Sequence, residues 1–234
     1  MINILENIMI ANQYLKLEFP DEKYNSIFRV FAASVESNRE EYFCIIEWKK
    51  IDNFSVKFFL EEVADEIFDY IRSQNNISQS FTKNSTLLVF FEKDEIKNED
   101  IYIIEEDEYN FKKNVIIYKN EELNSLKSLL EIEKKLSIDL LNAIVNGGEG
   151  EEFRRFKEKN EMTLSYYPLV IQMMLKIPFL KYKPKGEMLI NLEHQIFEEL
   201  EIHEQKIYEK FDSLDLNCET NDLMNFFEGL ESNG

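Results

Sequence analysis

Glycine and proline are scarce in this 234-residue chain, at six and four residues. That scarcity excludes a low-complexity linker and argues against the turn-rich sequence of an all-β sandwich. Cys44 and Cys218 are the only cysteines. Neither has a metal-type partner nearby, and no disulfide framework of a secreted domain is present. The only histidines are His194 and His203, nine residues apart. On one helix they point to opposite sides, so they share no metal and support no Ser-His-acid triad. Walker-type and dinucleotide glycine loops are missing. Cations are outnumbered, 27 Lys and Arg against 46 Asp and Glu, for a net charge of −19. Such a chain lacks the basic field needed to coat nucleic acid. Its acidity serves solubility, and an acidic mimic of DNA, resting on net charge alone, ranks last among the readings. Long apolar runs are also missing. The longest, 169–180, is interrupted by Gln172, Lys176 and Pro178 and is too short to span a bilayer. The first 19 residues have no cationic start and carry Glu6, unlike a signal peptide. A soluble, cytoplasmic protein is expected, without a cofactor or bound metal.

What the chain does have is aromatic and aliphatic bulk, with 19 Phe, 11 Tyr and 44% apolar residues. A sizeable core can be built from these. Ile2, Ile4, Leu5, Ile8, Met9, Tyr14 and Leu15 predict a first helix over 2–16. Strands follow near 26–35 and 40–49; Tyr42 to Ile46 is apolar on consecutive positions, as in a strand buried on both faces. Phe59, Val63, Ile67 and Ile71, flanked by Leu60, Ala64 and Phe68, give the 54–72 segment the stripe of a helix lying on a sheet. A polar linker, 75–84, leads to a strand over 85–91. An acidic arm, 92–108, reads as a solvated loop, because its carboxylates lack the glycine-punctuated loop that wraps calcium. A strand over 113–118 and a long helix over 120–146 complete this part.

Asn146-Gly147-Gly148 suits a helix cap at positive φ and predicts a boundary between an α/β domain, 1–148, and a helical extension, 149–234. The expected class is therefore α/β or α+β: a small helix-covered sheet, then an all-helical C-terminal region. Charge is uneven along the extension. Residues 151–186 hold eight basic and four acidic side chains, net +4, whereas 187–234 hold two and thirteen, net −11. Within 187–214, Leu189, Leu192, Ile196, Leu200, His203, Ile207, Phe211 and Leu214 form a narrow seam with an eleven-residue spacing, which keeps a helix straight or slightly right-handed. Thr220 can cap a last helix bearing Leu223, Met224, Phe226, Phe227 and Leu230.

The stretch from Ser85 through the acidic arm to Glu106-Asp107-Glu108-Tyr109-Asn110-Phe111-Lys112-Lys113-Asn114 and the strand Val115-Ile116-Ile117-Tyr118 carries a resemblance. Together with the strand ending in Ile45-Ile46-Glu47-Trp48 and the helix over 54–72, it resembles the middle component of bacterial ABC-three-component conflict systems. That component is the small subunit found beside an SMC-like ATPase in Lamassu-type phage defence. The resemblance spans roughly residues 26–130 and centres on an acidic-Phe-Lys-Lys-strand signature, with Asp107, Phe111, Lys112 and Lys113 at the corresponding places. It implies a non-catalytic bridging subunit between an SMC-like ABC ATPase and an effector, itself a nuclease, with at most indirect DNA contact.

The competing reading is a Mg²⁺-dependent restriction-type nuclease. Glu47-Trp48-Lys49 has the Glu-x-Lys spacing at a strand end in which the carboxylate holds the metal and the lysine assists the attacking water. A second carboxylate is missing, apart from Glu36 in a polar turn, so no catalytic residue is assigned. The partner-interface candidates are Arg154, Arg155, Lys181, Lys183 and Lys185, basic residues interleaved with aromatics that suit either phosphate contact or an acidic partner. The apolar seam adds Leu192, Ile196, Leu200, Ile207, Phe211, Phe226 and Phe227. On this view the extension carries the partner contact, and a chain ending near Gly148 stays folded but loses it.

Overall fold

Ser85–Glu92 is buried at every position but its last, because it has a strand on each side and a helical layer above and below. The computed structural model describes residues 1–21, 27–37, 39–48, 55–133, 136–159, 163–184, 197, 200, 204 and 205. These fall into two compact units, Met1–Lys183 and Pro184–Gly234.

In the first unit the sheet order is β1 (Tyr14–Leu17), β2 (Phe28–Ala33), β3 (Tyr42–Trp48), β4 (Ser85–Glu92) and β5 (Lys112–Tyr118). Antiparallel pairing joins β1 to β2 and β2 to β3; parallel pairing joins β3 to β4 and β4 to β5, with Trp48 beside Phe91 and Glu92 beside Tyr118. The class is α+β, a helix-covered mixed sheet.

One face of the sheet presents Phe28, Val30, Cys44, Ile46, Leu87, Val89 and Val115. It is covered by the segment between β3 and β4: α2 (Val56–Phe58), a π-helical stretch (Phe59–Ala64) and α3 (Asp65–Arg72). Ser55 starts this segment by accepting the Phe58 amide, and Phe59, Ala64, Ile67, Phe68 and Ile71 are buried. The stripe expected for this helix is thus the stripe that packs. The opposite face presents Tyr14, Phe31, Phe43, Ile45, Leu88, Phe90 and Ile116. It is covered by α1 (Ile2–Ala11), α5 (Asn120–Glu133), α6 (Ile138–Val145) and α8 (Tyr167–Lys176), with α7 (Glu151–Lys157) alongside.

Four expectations are corrected. The first helix stops at Ala11: Asn12 folds its side-chain amide back onto the Ile8 carbonyl at 2.7 Å, Gln13 turns at φ 65°, and 14–17 becomes the edge strand β1. The acidic arm is not a solvated loop throughout, since it holds α4 (Asn98–Glu106), whose Ile104 is fully buried. The helix over 120–146 is two helices, because Ser137 takes the Leu140 amide at 3.1 Å and caps α6. Finally, the Asn146-Gly147-Gly148 break lies inside the first unit, as a turn with Gly148 and Glu149 at φ 59° and 56°. The chain returns past it to bury Tyr167, Leu169, Val170, Met173, Ile177, Phe179 and Leu180 against the sheet. A chain cut near Gly148 would uncover that face.

The seam over 187–214, with His194, His203 and Lys185, lies outside the described residues apart from Phe197, Leu200, Glu204 and Gln205. There the Gln205 amide donates to the carbonyls of Phe197 and Leu200. The terminal helix from Thr220, Phe226 and Phe227, along with Cys218 and Lys49, also lies outside them.

Candidate functional site at the carboxyl ends of the parallel strands

The three parallel strands deliver their carboxyl ends to one side, the end of an open α/β sheet where ligands generally bind. β3 brings Glu47 there, and β5 brings Tyr118. Glu47 Oε1 accepts from the Met1 ammonium at 3.1 Å and from the Tyr118 hydroxyl at 3.0 Å. Its Oε2 accepts from the same ammonium at 3.3 Å and from the Ile2 amide at 3.4 Å. Burial pushes this carboxyl up, and the ammonium, hydroxyl and amide outweigh it, holding Glu47 below the ordinary carboxylate value. Burial and the neighbouring Glu47 charge raise the Tyr118 phenol, which stays a donor.

Trp48 points to the opposite face, edge-on to Phe59 with centroids 5.1 Å apart. Glu36 lies in the turn before β3, so about 17 Å of strand separates that end from Glu47. The fold does not bring the two carboxylates together. Among the described residues no group of three or more His, Cys, Asp or Glu converges. Cys44 is buried and its thiol is pushed up by burial, which leaves it protonated and inert.

Beside Tyr118 opens a cleft of about 560 Å³. Lys93 follows β4, Lys119 follows β5, Glu122 sits in the first turn of α5, Phe156 comes from the last turn of α7 and Lys159 from just beyond it, and Thr163, Pro168 and Gln172 complete the lining. Glu122 Oε2 accepts the Lys119 amide at 3.1 Å; burial raises its carboxyl, against the pull of Lys119 and Lys93. None of these cleft lysines was singled out from sequence, because they are scattered between positions 93 and 159. Lys93 and Lys119 could have been found as the first cations after two buried parallel strands.

The Phe-Lys-Lys signature builds a turn. Phe111 is buried against Phe68 and Phe81. Lys113 is buried too; its ammonium donates to Asp107 Oδ1 and the Tyr109 carbonyl at 2.5 Å each, and to the Phe111 carbonyl at 3.2 Å. Lys112 is exposed. Of the two expectations for this segment, turn and partner contact, Asp107, Phe111 and Lys113 supply the turn.

The basic island is divided. Arg154 pairs with Glu151 and Glu158 at 2.7 and 2.8 Å, and Arg155 with Glu152 at 2.8 Å, all within α7 and its C-cap residue. Lys183 reaches Asp139 at 3.5 Å, and Lys181 is exposed. The backbones of these two lysines are tied down by two buried amides, Asn142 on α6 and Asn146 at its C-cap. Between α6, α7 and α8 runs a second groove of about 450 Å³, walled by Val145, Phe153, Ile171, Met174, Leu175 and Tyr182. Leu175 is 77% exposed and Tyr182 54%, a concentration of open apolar surface beside Lys181 and Lys183.

No helix among the described residues is long and apolar enough to cross a membrane. Neither a curated protein nor a solved structure matches the chain. Residues 41–140, which run from β3 into α6 and include Glu47, Asp107, Phe111 and Lys113, match the family described as ABC-three component (ABC-3C) system Middle Component 1, so this stretch is similar to the middle component of a multi-component ABC system.

Proposed function

We propose that the protein is a non-catalytic bridging subunit of a bacterial anti-phage complex of the Lamassu type, cytoplasmic, joining an SMC-like ABC ATPase to a nuclease effector. The observation that carries this reading is the middle-component match over 41–140. The geometry adds to it. Glu47, the carboxylate of the Glu-x-Lys pair, has both oxygens engaged by the Met1 ammonium and its neighbours. The apolar groove between α6, α7 and α8 is a concave, lysine-flanked surface that suits the nonpolar face of an amphipathic partner helix with acidic edges. Any DNA contact through the basic segment is secondary to the partner.

Co-expression of the full chain with the ATPase and effector of its own system tests the reading. All three should co-purify. The exposed pair of changes Phe153→Asp and Leu175→Asp should abolish capture of a partner while the thermal midpoint of the isolated chain stays unchanged. Failure of the unaltered chain to hold either partner sinks the bridging role, and full retention by the double variant removes the groove from it.

A further inference from the structure

We infer that the cleft beside Tyr118 is a binding site for a nucleoside phosphate, a small ligand unrelated to the partner groove. Three lysines, Lys93, Lys119 and Lys159, line one cavity of a chain whose net charge is −19. None of the three closes an ion pair with a carboxylate among the described residues, although Lys16, Lys113, Lys176 and Lys183 do so. Three like charges around one space repel one another, and an anion between them would relieve that repulsion. Among the described residues of the lining the one carboxylate is Glu122, and it is turned to the Lys119 amide.

A second observation comes from Thr163. This lining residue has a buried hydroxyl with no hydrogen-bond partner among the described residues, an unusual cost that a rotation of the side chain onto a phosphate oxygen would remove. The remaining walls supply the nonpolar part of the ligand's environment. Phe156, Pro168 and Ile117 offer flat or aliphatic surface, and the Gln172 carbonyl is already committed to the Ile117 amide at 3.0 Å. A volume of about 560 Å³ holds a mononucleotide and lies within the usual range for small-molecule sites. The location outside the carboxyl ends of β4 and β5, where the chain leaves one face of the sheet for the other, is where open α/β sheets bind such ligands. Polynucleotide fits less well, because the rest of the surface repels a long polyanion.

The test is calorimetric titration of the full chain, at low salt and without divalent metal, with AMP, adenosine, inorganic phosphate and a short single-stranded oligonucleotide. AMP should bind, with adenosine and inorganic phosphate each weaker by about tenfold or more, since each lacks half of the contacts. The double charge reversal Lys119→Glu with Lys159→Glu should weaken AMP by about tenfold or more. Both side chains are exposed, so the thermal midpoint of the unliganded variant serves as the folding control. Glu122→Gln, which removes the opposing charge among the described lining residues, should tighten AMP. Absence of AMP binding at millimolar concentration overturns the inference. So does binding that the double reversal leaves intact, equal affinity for inorganic phosphate, or binding of the oligonucleotide alone.

Discussion

Lys113 is the residue on which the Phe-Lys-Lys signature turns. Its side chain is 1% exposed, and its charge is matched by Asp107, itself 19% exposed, and by two carbonyl oxygens. A buried ion pair contributes little net stability against a well-packed apolar replacement, but breaking one partner strands the other, at about 3–5 kcal/mol. Lys113→Met keeps most of the stem and should still cost roughly 2–3 kcal/mol by denaturant midpoint, because Asp107 and two carbonyls lose their donor. Adding Asp107→Asn should recover part of that loss, a non-additivity that contacting residues show and distant ones do not. Simple addition of the two single costs would mean that the pair does not act as a unit. In sequence, the pair of lysines gave no sign of which would be buried. Alternation puts Lys113 on the face of Val115, where it is buried, and Lys112 on the face of Asn114 and Ile116, where it stays exposed as the first residue of the strand.

Among the elements, β5 shows best what was legible and what was not. The strands β3, β4 and β5 were evident because consecutive apolar residues are needed when both faces of a strand are covered. How β5, the last strand of the order, avoids presenting a bare edge was not evident. Its amides are taken by side chains from two later or neighbouring helices: Glu105 of α4 accepts Val115 N–H at 2.8 Å, and Gln172 of α8 accepts Ile117 N–H. Glu105 in turn holds the Lys176 ammonium at 2.6 Å, and the Asn114 amide donates to the Lys176 carbonyl. Glu105 sits in the densest acidic run of the chain, where one anchoring carboxylate looks like its solvated neighbours. β1 was hidden for a different reason. Tyr14-Leu15-Lys16-Leu17 continues the spacing of α1, and only Gln13 at positive φ, an unusual conformation for glutamine, breaks it. Glu105→Ala should speed hydrogen exchange at the Val115 amide by about ten- to a hundredfold, the worth of a hydrogen bond to a charged group, and leave the central Ile45 amide unaffected. Unchanged protection at Val115 would show that the edge is closed without Glu105.

At the scale of the whole molecule, the boundary placed at Asn146-Gly147-Gly148 rested on a sound local reading, since the turn there does use positive φ. Local chemistry could not show that the chain comes back. The cleft, the groove and the cover of β5 all require α7 and α8, which lie beyond both that turn and the 41–140 match. Burying a large apolar side chain is worth roughly 1.5–3 kcal/mol, and 167–180 contributes seven such residues to the face shared by Phe43, Leu88 and Phe90. Together that is about 10–20 kcal/mol, as much as or more than the whole stability of an ordinary domain, about 5–15 kcal/mol. A chain ending at Gly148 should therefore aggregate or bind a hydrophobic dye without a cooperative melt. A chain ending at Lys183, the limit of the first compact unit, should melt cooperatively and keep the near-ultraviolet signal of its packed aromatics. A cooperative transition in the shorter chain, at a midpoint near that of the longer one, would make α8 an accessory and return the boundary to the glycines.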